Sequence, residues 1–179
     1  MSGIHRMRYV GFEAIADTDA RVLILGTLPG AESHKRRQYY ANPRNSFWWI
    51  MGKLFGASPD LPYEDRLNLL KKSGIALWDV CHSAERSGSS DSEILLHTVE
   101  PNDFATFFSH HPHIELICFN GQMSARIFRS KVLPLPANYS AIPREVLDST
   151  SPAHTGLIWR GKLARWRQSL GSFVDSGHR

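Results

Sequence analysis

The chain has 179 residues, 42% of them hydrophobic and 21% charged, a length and composition that suit one folded domain over residues 1–179 and argue against disorder. No apolar run approaches the roughly 18–20 residues of a membrane helix, and the opening MSGIHRMRYV lacks a signal-peptide stretch, so a cytoplasmic protein without a membrane partner is expected. Two cysteines, with no CxxC pair, exclude a four-cysteine iron–sulfur cluster or zinc ribbon, and the formal charge of +4 divides into +3 over residues 1–60, −5 over 61–120 and +6 over 121–179. Basic charge at both ends of the sequence permits a polyanionic partner without requiring one.

Along the chain, RVLILG at 21–26 is a short apolar run closed by glycine, the pattern of a strand buried on both faces. Similar runs follow at 75–79 (IALWD), at 115–119 (ELICF) and, more weakly, at 144–147 (REVL). Helical patterns lie between them at 46–55, 63–72, 102–109 and 122–131, and a last one at 160–174 sets Lys162, Arg165 and Arg167 beside Leu163, Trp166, Leu170 and Phe173. Strands alternating with helices imply an α/β fold with a mostly parallel sheet covered on both faces. Ligands of such sheets bind at the carboxyl ends of the strands, so the informative residues are 26–30, 79–86, 120–122 and 148–154.

The first of these, Gly26-Thr-Leu-Pro-Gly30, can bring backbone N–H groups close to a ligand, although a tight turn without one reads equally well. It is neither a P-loop nor a dinucleotide fingerprint. Next comes YYANPRNSFWW, with five aromatics in eleven residues interleaved with Asn42, Arg44 and Asn45. Phe47, Trp48 and Trp49 open a helix and are expected in the core, whereas the tyrosines sit in a polar loop where a ring can stack on a planar base. Asp79 at a strand tip could accept a hydrogen bond from a base or polarise a water, or simply cap the following turn. The cluster Ser149-Thr-Ser-Pro-Ala-His154 suits phosphate oxygens or a self-satisfied turn. His110-His-Pro-His113 reads as a solvated loop rather than a metal site, and Cys81 and Cys118 as small apolar residues.

Taken in order, GTLPG at 26–30, YYANPRNSFW at 39–48, GIALWDV at 74–80 with ER and GSSDS after it, FNG at 119–121 and STSPAH at 149–154 resemble the uracil-DNA glycosylase superfamily, most closely its hypoxanthine-DNA glycosylase branch. The resemblance spans about 130 of the 179 residues. It implies a three-layer α/β/α sandwich around a central four-stranded parallel sheet, no cofactor and no metal, and hydrolysis of a base–sugar bond in double-stranded DNA containing deaminated bases by a monomer. The position that carries a catalytic Asp or Asn in the uracil-specific and mismatch-specific branches is here Leu28. The catalytic asparagine of the hypoxanthine branch matches Asn45.

By the same resemblance, Leu28, Pro29, Gly30, Tyr40, Phe47, Asp79 and Asn120 would bind the flipped base, Tyr40 by stacking and Asp79 by reading its edge. Ser149, Ser151, Pro152, Ala153 and His154 would form the loop that enters the minor groove. Asp148 replaces the usual proline before that loop and is expected to face Arg144 or to turn away from phosphate, and His154 replaces the usual closing asparagine. No lysine occupies a matching catalytic position, so the activity should stop at an abasic site. The rival readings are a glycosylase for uracil or thymine mismatched with guanine, a catalytically silent DNA-binding relative, and an α/β enzyme acting on free nucleotides.

Overall fold

The computed structural model describes residues 6–152 and 159–174. Four strands, β2 (Val22–Gly26), β3 (Ile75–Asp79), β6 (Leu116–Asn120) and β7 (Arg144–Leu147), form a parallel sheet in the order β3-β2-β6-β7. The first three are buried along their whole length, as their unbroken apolar runs require when both faces are covered.

Alternate residues supply two separate cores. Leu23, Leu25, Ala76, Trp78, Ile117 and Phe119 pack with Phe104, Phe107 and Phe108 of α4 (Phe104–His110) and Ile127 and Phe128 of α5 (Gln122–Lys131). On the opposite face, Val22, Ile24, Ile75, Leu77 and Cys118 meet α2 (Phe47–Phe55), α3 (Tyr63–Lys72) and α6 (Trp159–Val174) through Phe47, Ile50, Met51, Leu70, Trp166 and Leu170. The result is the expected α/β/α sandwich. No described helix is long and apolar enough to cross a membrane.

From β2 the chain crosses first to β3 on one side and later to β6 on the other, so the carboxyl ends of β2 and β6 flank the point where the winding reverses. Crevices of this kind receive ligands in doubly wound sheets.

A second, antiparallel sheet combines β1 (Met7–Val10), β4 (Cys81–Arg86) and β5 (Glu100–Pro101) in the order β1-β4-β5. Residues 79–86 are expected from the sequence only as a segment following a strand. Instead Val80 N–H and Cys81 N–H donate to Gly26 O and Thr27 O at 2.9 and 3.1 Å, and the chain re-enters extended structure at once. The polar sequence CHSAER hid this strand because Ser83 and Arg86, on opposite faces of it, are both buried although polar. A short helix, α1 (Ala31–Arg36), also escaped the sequence reading, since its residues AESHKR are charged or small and only Ser33 is buried.

Trp49 departs from its expected place in the core. It is 47% exposed on α2, while Phe47, Trp48, Ile50 and Met51 are buried in one core, because five successive side chains of a helix cannot all face that core.

Candidate active site

A cavity of about 790 Å³ opens at the carboxyl ends of β2, β3 and β6. Its wall includes Leu28, Pro29, Gly30, Tyr40, Asn45, Asp79, Asn120, Ser149, Ser151 and Pro152, so residues up to 124 positions apart in sequence share one space. Phe47 does not line it. Ala153 and His154 lie outside the described residues.

The parallel register sets Gly26 directly beside Asp79. A Cβ on Gly26 would stand 2.5 Å from Asp79 Oδ1 and 3.0 Å from the Tyr40 hydroxyl oxygen, so only glycine admits both side chains here. Asp79 is 4% exposed and its Oδ2 has no hydrogen-bond partner among the described residues. Burial, reinforced by the Asp91 carboxyl and opposed by Arg86, pushes its pKa up to about 8. Near neutral pH the carboxyl is therefore mainly protonated, offering one donor and one acceptor.

Tyr40 adopts a left-handed backbone (φ 55°), an uncommon conformation for a bulky residue. Its ring stacks on Phe47 at 3.9 Å between centroids, with an interplanar angle of 21°. Phe47 thus stands behind Tyr40 as a support. The Tyr40 hydroxyl is buried, and burial and Asp79 raise its pKa. Asn120 lies near enough to favour the ionised hydroxyl, yet the two form no hydrogen bond, and the hydroxyl has no partner among the described residues. Tyr39 has a different place. It is 3% exposed, its hydroxyl donates to Glu13 O at 2.9 Å, and it anchors the segment.

Asn45 is held by the start of α2. Its Oδ1 accepts from Phe47 N–H at 2.9 Å, and its own N–H donates to Asn42 O at 2.9 Å. Those contacts fix the plane of the amide while leaving Oδ1 a second lone pair.

Asn120 and Thr150 form a closed pair. Asn120 Nδ2 donates to Thr150 Oγ1 at 2.8 Å, and Thr150 N–H donates to Asn120 Oδ1 at 2.9 Å. The Thr150 carbonyl then accepts from Ser46 N–H and from Ser46 Oγ at 3.0 and 3.2 Å. Thr150, 1% exposed, therefore ties the tip of β6 and the segment ending at Pro152 to Ser46, the N-cap of α2 that directly follows Asn45. Sequence reasoning picked out the hydroxyls on either side of it and passed over the buried one. Gly121 (φ 98°) completes this close approach, since a Cβ there would stand 3.0 Å from Ser149 Cβ.

Asp148 does not face Arg144. Its Oδ2 lies 3.4 Å from Arg165 Nε and its carbonyl accepts from Trp166 Nε1 at 3.1 Å, so α6 provides the counter-charge. Arg144 opens the extended strand that leads to Asp148, and about 3.3 Å of rise per residue carries the two apart.

Asp91 and Arg86 complete the surroundings and were passed over as site residues. Asp91 is presented by a capping box in which Ser90 and Glu93 satisfy each other. Arg86 is 1% exposed and its Nη2 donates to Pro29 O at 2.8 Å. The pairing of a lone Arg with a carbonyl 57 residues away has no sequence signal. Cys81 and Cys118 are buried thiols whose pKa is pushed up to about 12, which leaves them un-ionised. Among the described residues no cluster of His, Cys, Asp or Glu is placed to hold a metal ion.

The family model of the uracil DNA glycosylase superfamily matches residues 12–170. A hypoxanthine DNA glycosylase of Methanosarcina acetivorans is 41% identical over 133 residues, covering 69% of this chain and 83% of the relative. One from Methanosarcina barkeri is 37% identical over 119 residues, covering 66% and 74%. The solution NMR structure of a candidate uracil DNA glycosylase from Methanosarcina acetivorans superposes with a TM-score of 0.75 at 33% identity, covering 93% of this chain and 99% of that one. With the switch-point cavity and its ordered motifs, these similarities establish that the chain belongs to the uracil DNA glycosylase superfamily.

Proposed function

We propose that the protein is a monofunctional DNA glycosylase that hydrolyses the N-glycosidic bond of hypoxanthine, and of uracil as a second substrate, flipped out of duplex DNA, acting as a cytoplasmic monomer. The observation that carries this reading is the convergence of Asn45, Tyr40 and Asp79 on one cavity, with Leu28 on the same wall. An apolar Leu28 can neither activate nor orient water, so the polar work falls to Asn45. The relatives named for hypoxanthine support the choice of base.

Extrusion of the nucleotide costs a few kcal/mol and is easiest for a badly paired base, so selection begins in the duplex. The extruded base stacks against Tyr40, which Phe47 keeps from yielding. Hypoxanthine presents an N1–H donor beside a C6 carbonyl acceptor, and uracil presents N3–H beside C4 carbonyl. A protonated Asp79 complements either edge with its carbonyl and hydroxyl. An ionised Asp79 would face the electron-rich departing base with a second negative charge, which is why its raised pKa matters.

As the bond to the sugar stretches, positive charge grows on the anomeric carbon, as in other glycoside hydrolyses. Asn45, its amide plane fixed by Phe47 N–H, accepts a hydrogen bond from the attacking water on its remaining lone pair. An amide is too weak a base to deprotonate water early. Most of the acceleration must come from stabilising the leaving base and the cation.

The test is to incubate the protein with duplexes carrying hypoxanthine, uracil, xanthine or mismatched thymine and to reveal abasic sites with alkali. Release of hypoxanthine, without strand products trapped by borohydride, is the expected result. Release confined to uracil or thymine opposite guanine would replace the hypoxanthine assignment with the mismatch reading.

A further inference from the structure

Arg86 has no part in the steps above. It is one of the largest fully buried side chains among the described residues, where Nη2 donates to Pro29 O and Nε and Nη1 have no hydrogen-bond partner. Its guanidinium lies 4.6 Å from the centre of the Tyr9 ring, an aromatic face that replaces part of the lost hydration. No carboxylate among the described residues lies within ion-pair distance of it, and Asp91, Glu93 and Asp79 act on it only from farther away. A cation buried with so little compensation is costly, and a neutral side chain could fill the same space.

The carbonyl that Arg86 holds belongs to the same peptide unit as Gly30 N–H. In a trans peptide the two point in opposite directions, so with Pro29 O turned to the buried guanidinium, Gly30 N–H points away from it, and Pro29 and Gly30 both line the cavity while Arg86 does not. Gly30 N–H donates to no atom among the described residues, and a Cβ on Gly30 would meet nothing closer than Ser89 O at 3.8 Å. A charge-assisted bond to one end of a peptide unit strengthens the donor at the other end.

We infer that Arg86 is a positioning residue that polarises the Pro29–Gly30 peptide, so that Gly30 N–H stabilises the negative charge on the departing base. In the step concerned, the bond between the anomeric carbon and the base nitrogen breaks with its electron pair going to the base. Water then forms the new bond to the anomeric carbon and releases its proton to solvent, and the base anion takes up a proton from solvent. Arg86 itself exchanges no proton. The inference rests on the glycosylase reading above and deepens it.

The experiment compares wild type, Arg86→Gln and Arg86→Lys in single-turnover release of hypoxanthine, uracil and 5-fluorouracil, the last being the most stable anion of the two pyrimidines. Arg86→Gln is expected to slow hypoxanthine and uracil release by about tenfold, less than the roughly hundredfold that loss of an oxyanion donor itself costs because Gly30 N–H remains, and 5-fluorouracil release by clearly less. Arg86→Lys should recover part of the rate. Affinity for a duplex carrying non-cleavable 2′-fluoro-arabino-inosine should stay within about threefold of wild type, because phosphate contacts that hold the duplex are untouched.

Equal slowing of all bases, or loss of rate in parallel with loss of binding, would mean that Arg86 only props the loop and would overturn the inference. An independent reading comes from the Gly30 amide proton in NMR spectra of the free protein, expected to move upfield in Arg86→Gln and far less in Arg86→Lys. An unmoved resonance overturns the inference whatever the enzyme does. Absence of excision by folded wild type would overturn the glycosylase reading instead.

Discussion

Two polar regions lie side by side at the carboxyl end of the sheet and are built on opposite terms. In the latch formed by Ser46, Asn120 and Thr150, donors and acceptors answer one another, with four hydrogen bonds between 2.8 and 3.2 Å. On the floor of the cavity, Asp79 Oδ2 and the Tyr40 hydroxyl are buried without partners among the described residues, as are two nitrogens of Arg86 behind the Pro29 carbonyl. Buried polar groups are nearly always paired, so the first region reads as structure and the second as a surface awaiting a ligand. The sheet register brings both to the same cavity, where the latch fixes the start of the helix that follows Asn45 and the floor, on the proposed function, would receive the base.

Mutation should separate these roles. The largest effect is expected at Asn45, where Asn45→Ala should lower single-turnover excision by roughly 10²-fold or more. Loss of its contact to Phe47 N–H should cost only about 1 kcal/mol of stability in a denaturant titration, the usual size of a helix-cap effect. Retention of wild-type excision by folded Asn45→Ala would remove Asn45 from the mechanism.

Asp79→Asn should act on stability with the opposite sign. Below about pH 3.8 the folded and unfolded carboxyls are both protonated and contribute no difference. Between there and about pH 8 the unfolded chain ionises while the folded one keeps its proton, so wild-type stability falls as pH rises through that window. The variant, which has no such penalty, should gain on the order of a few kcal/mol over wild type at pH 9 and nothing at pH 3. Thermal melts across pH measure this directly. The same titration should appear as an alkaline limb in the excision rate near pH 8 that Asp79→Asn lacks. An unchanged limb would show that some other group sets it.

In the latch, Thr150→Val removes the acceptor of Asn120 Nδ2 and leaves a buried amide unsatisfied. The expected cost is about 1–3 kcal/mol, read by chemical denaturation, with excision following the loss of order in α2 rather than changing its pH dependence. Smallest of all should be Arg165→Gln. Arg165 is largely exposed and its pairing with Asp148 is screened by solvent, so stability should change by less than about 0.5 kcal/mol. A larger loss would mean that the Asp148 carboxyl depends on Arg165 far more than its exposure suggests.

Much of this arrangement was legible in the amino-acid order. The apolar runs at β2, β3 and β6 announced a sheet covered on both faces, and their glycine, aspartate and asparagine ends marked the cleft before any contact was known. The weak run at β7 was also read correctly, although three of its four residues are exposed. What escaped notice was polar and short. β4 carries CHSAER, α1 carries AESHKR, and neither has the apolar periodicity on which reading a sequence depends. Trp49, expected in the core with Phe47 and Trp48 at the start of a helix, is placed outside by the turn of that helix.

The chain's local chemistry, then, determined by itself where buried strands begin and end, which residues follow them, and which family's motifs they carry, because these depend on neighbours in sequence. Tertiary structure alone decided that Asp148 meets Arg165, that Thr150 is the hub between two hydroxyl neighbours, and that Arg86 lies behind the Pro29 carbonyl. These contacts join residues 17 to 57 positions apart, and desolvation, which sets the pKa of Asp79, arises only when the layers close over it.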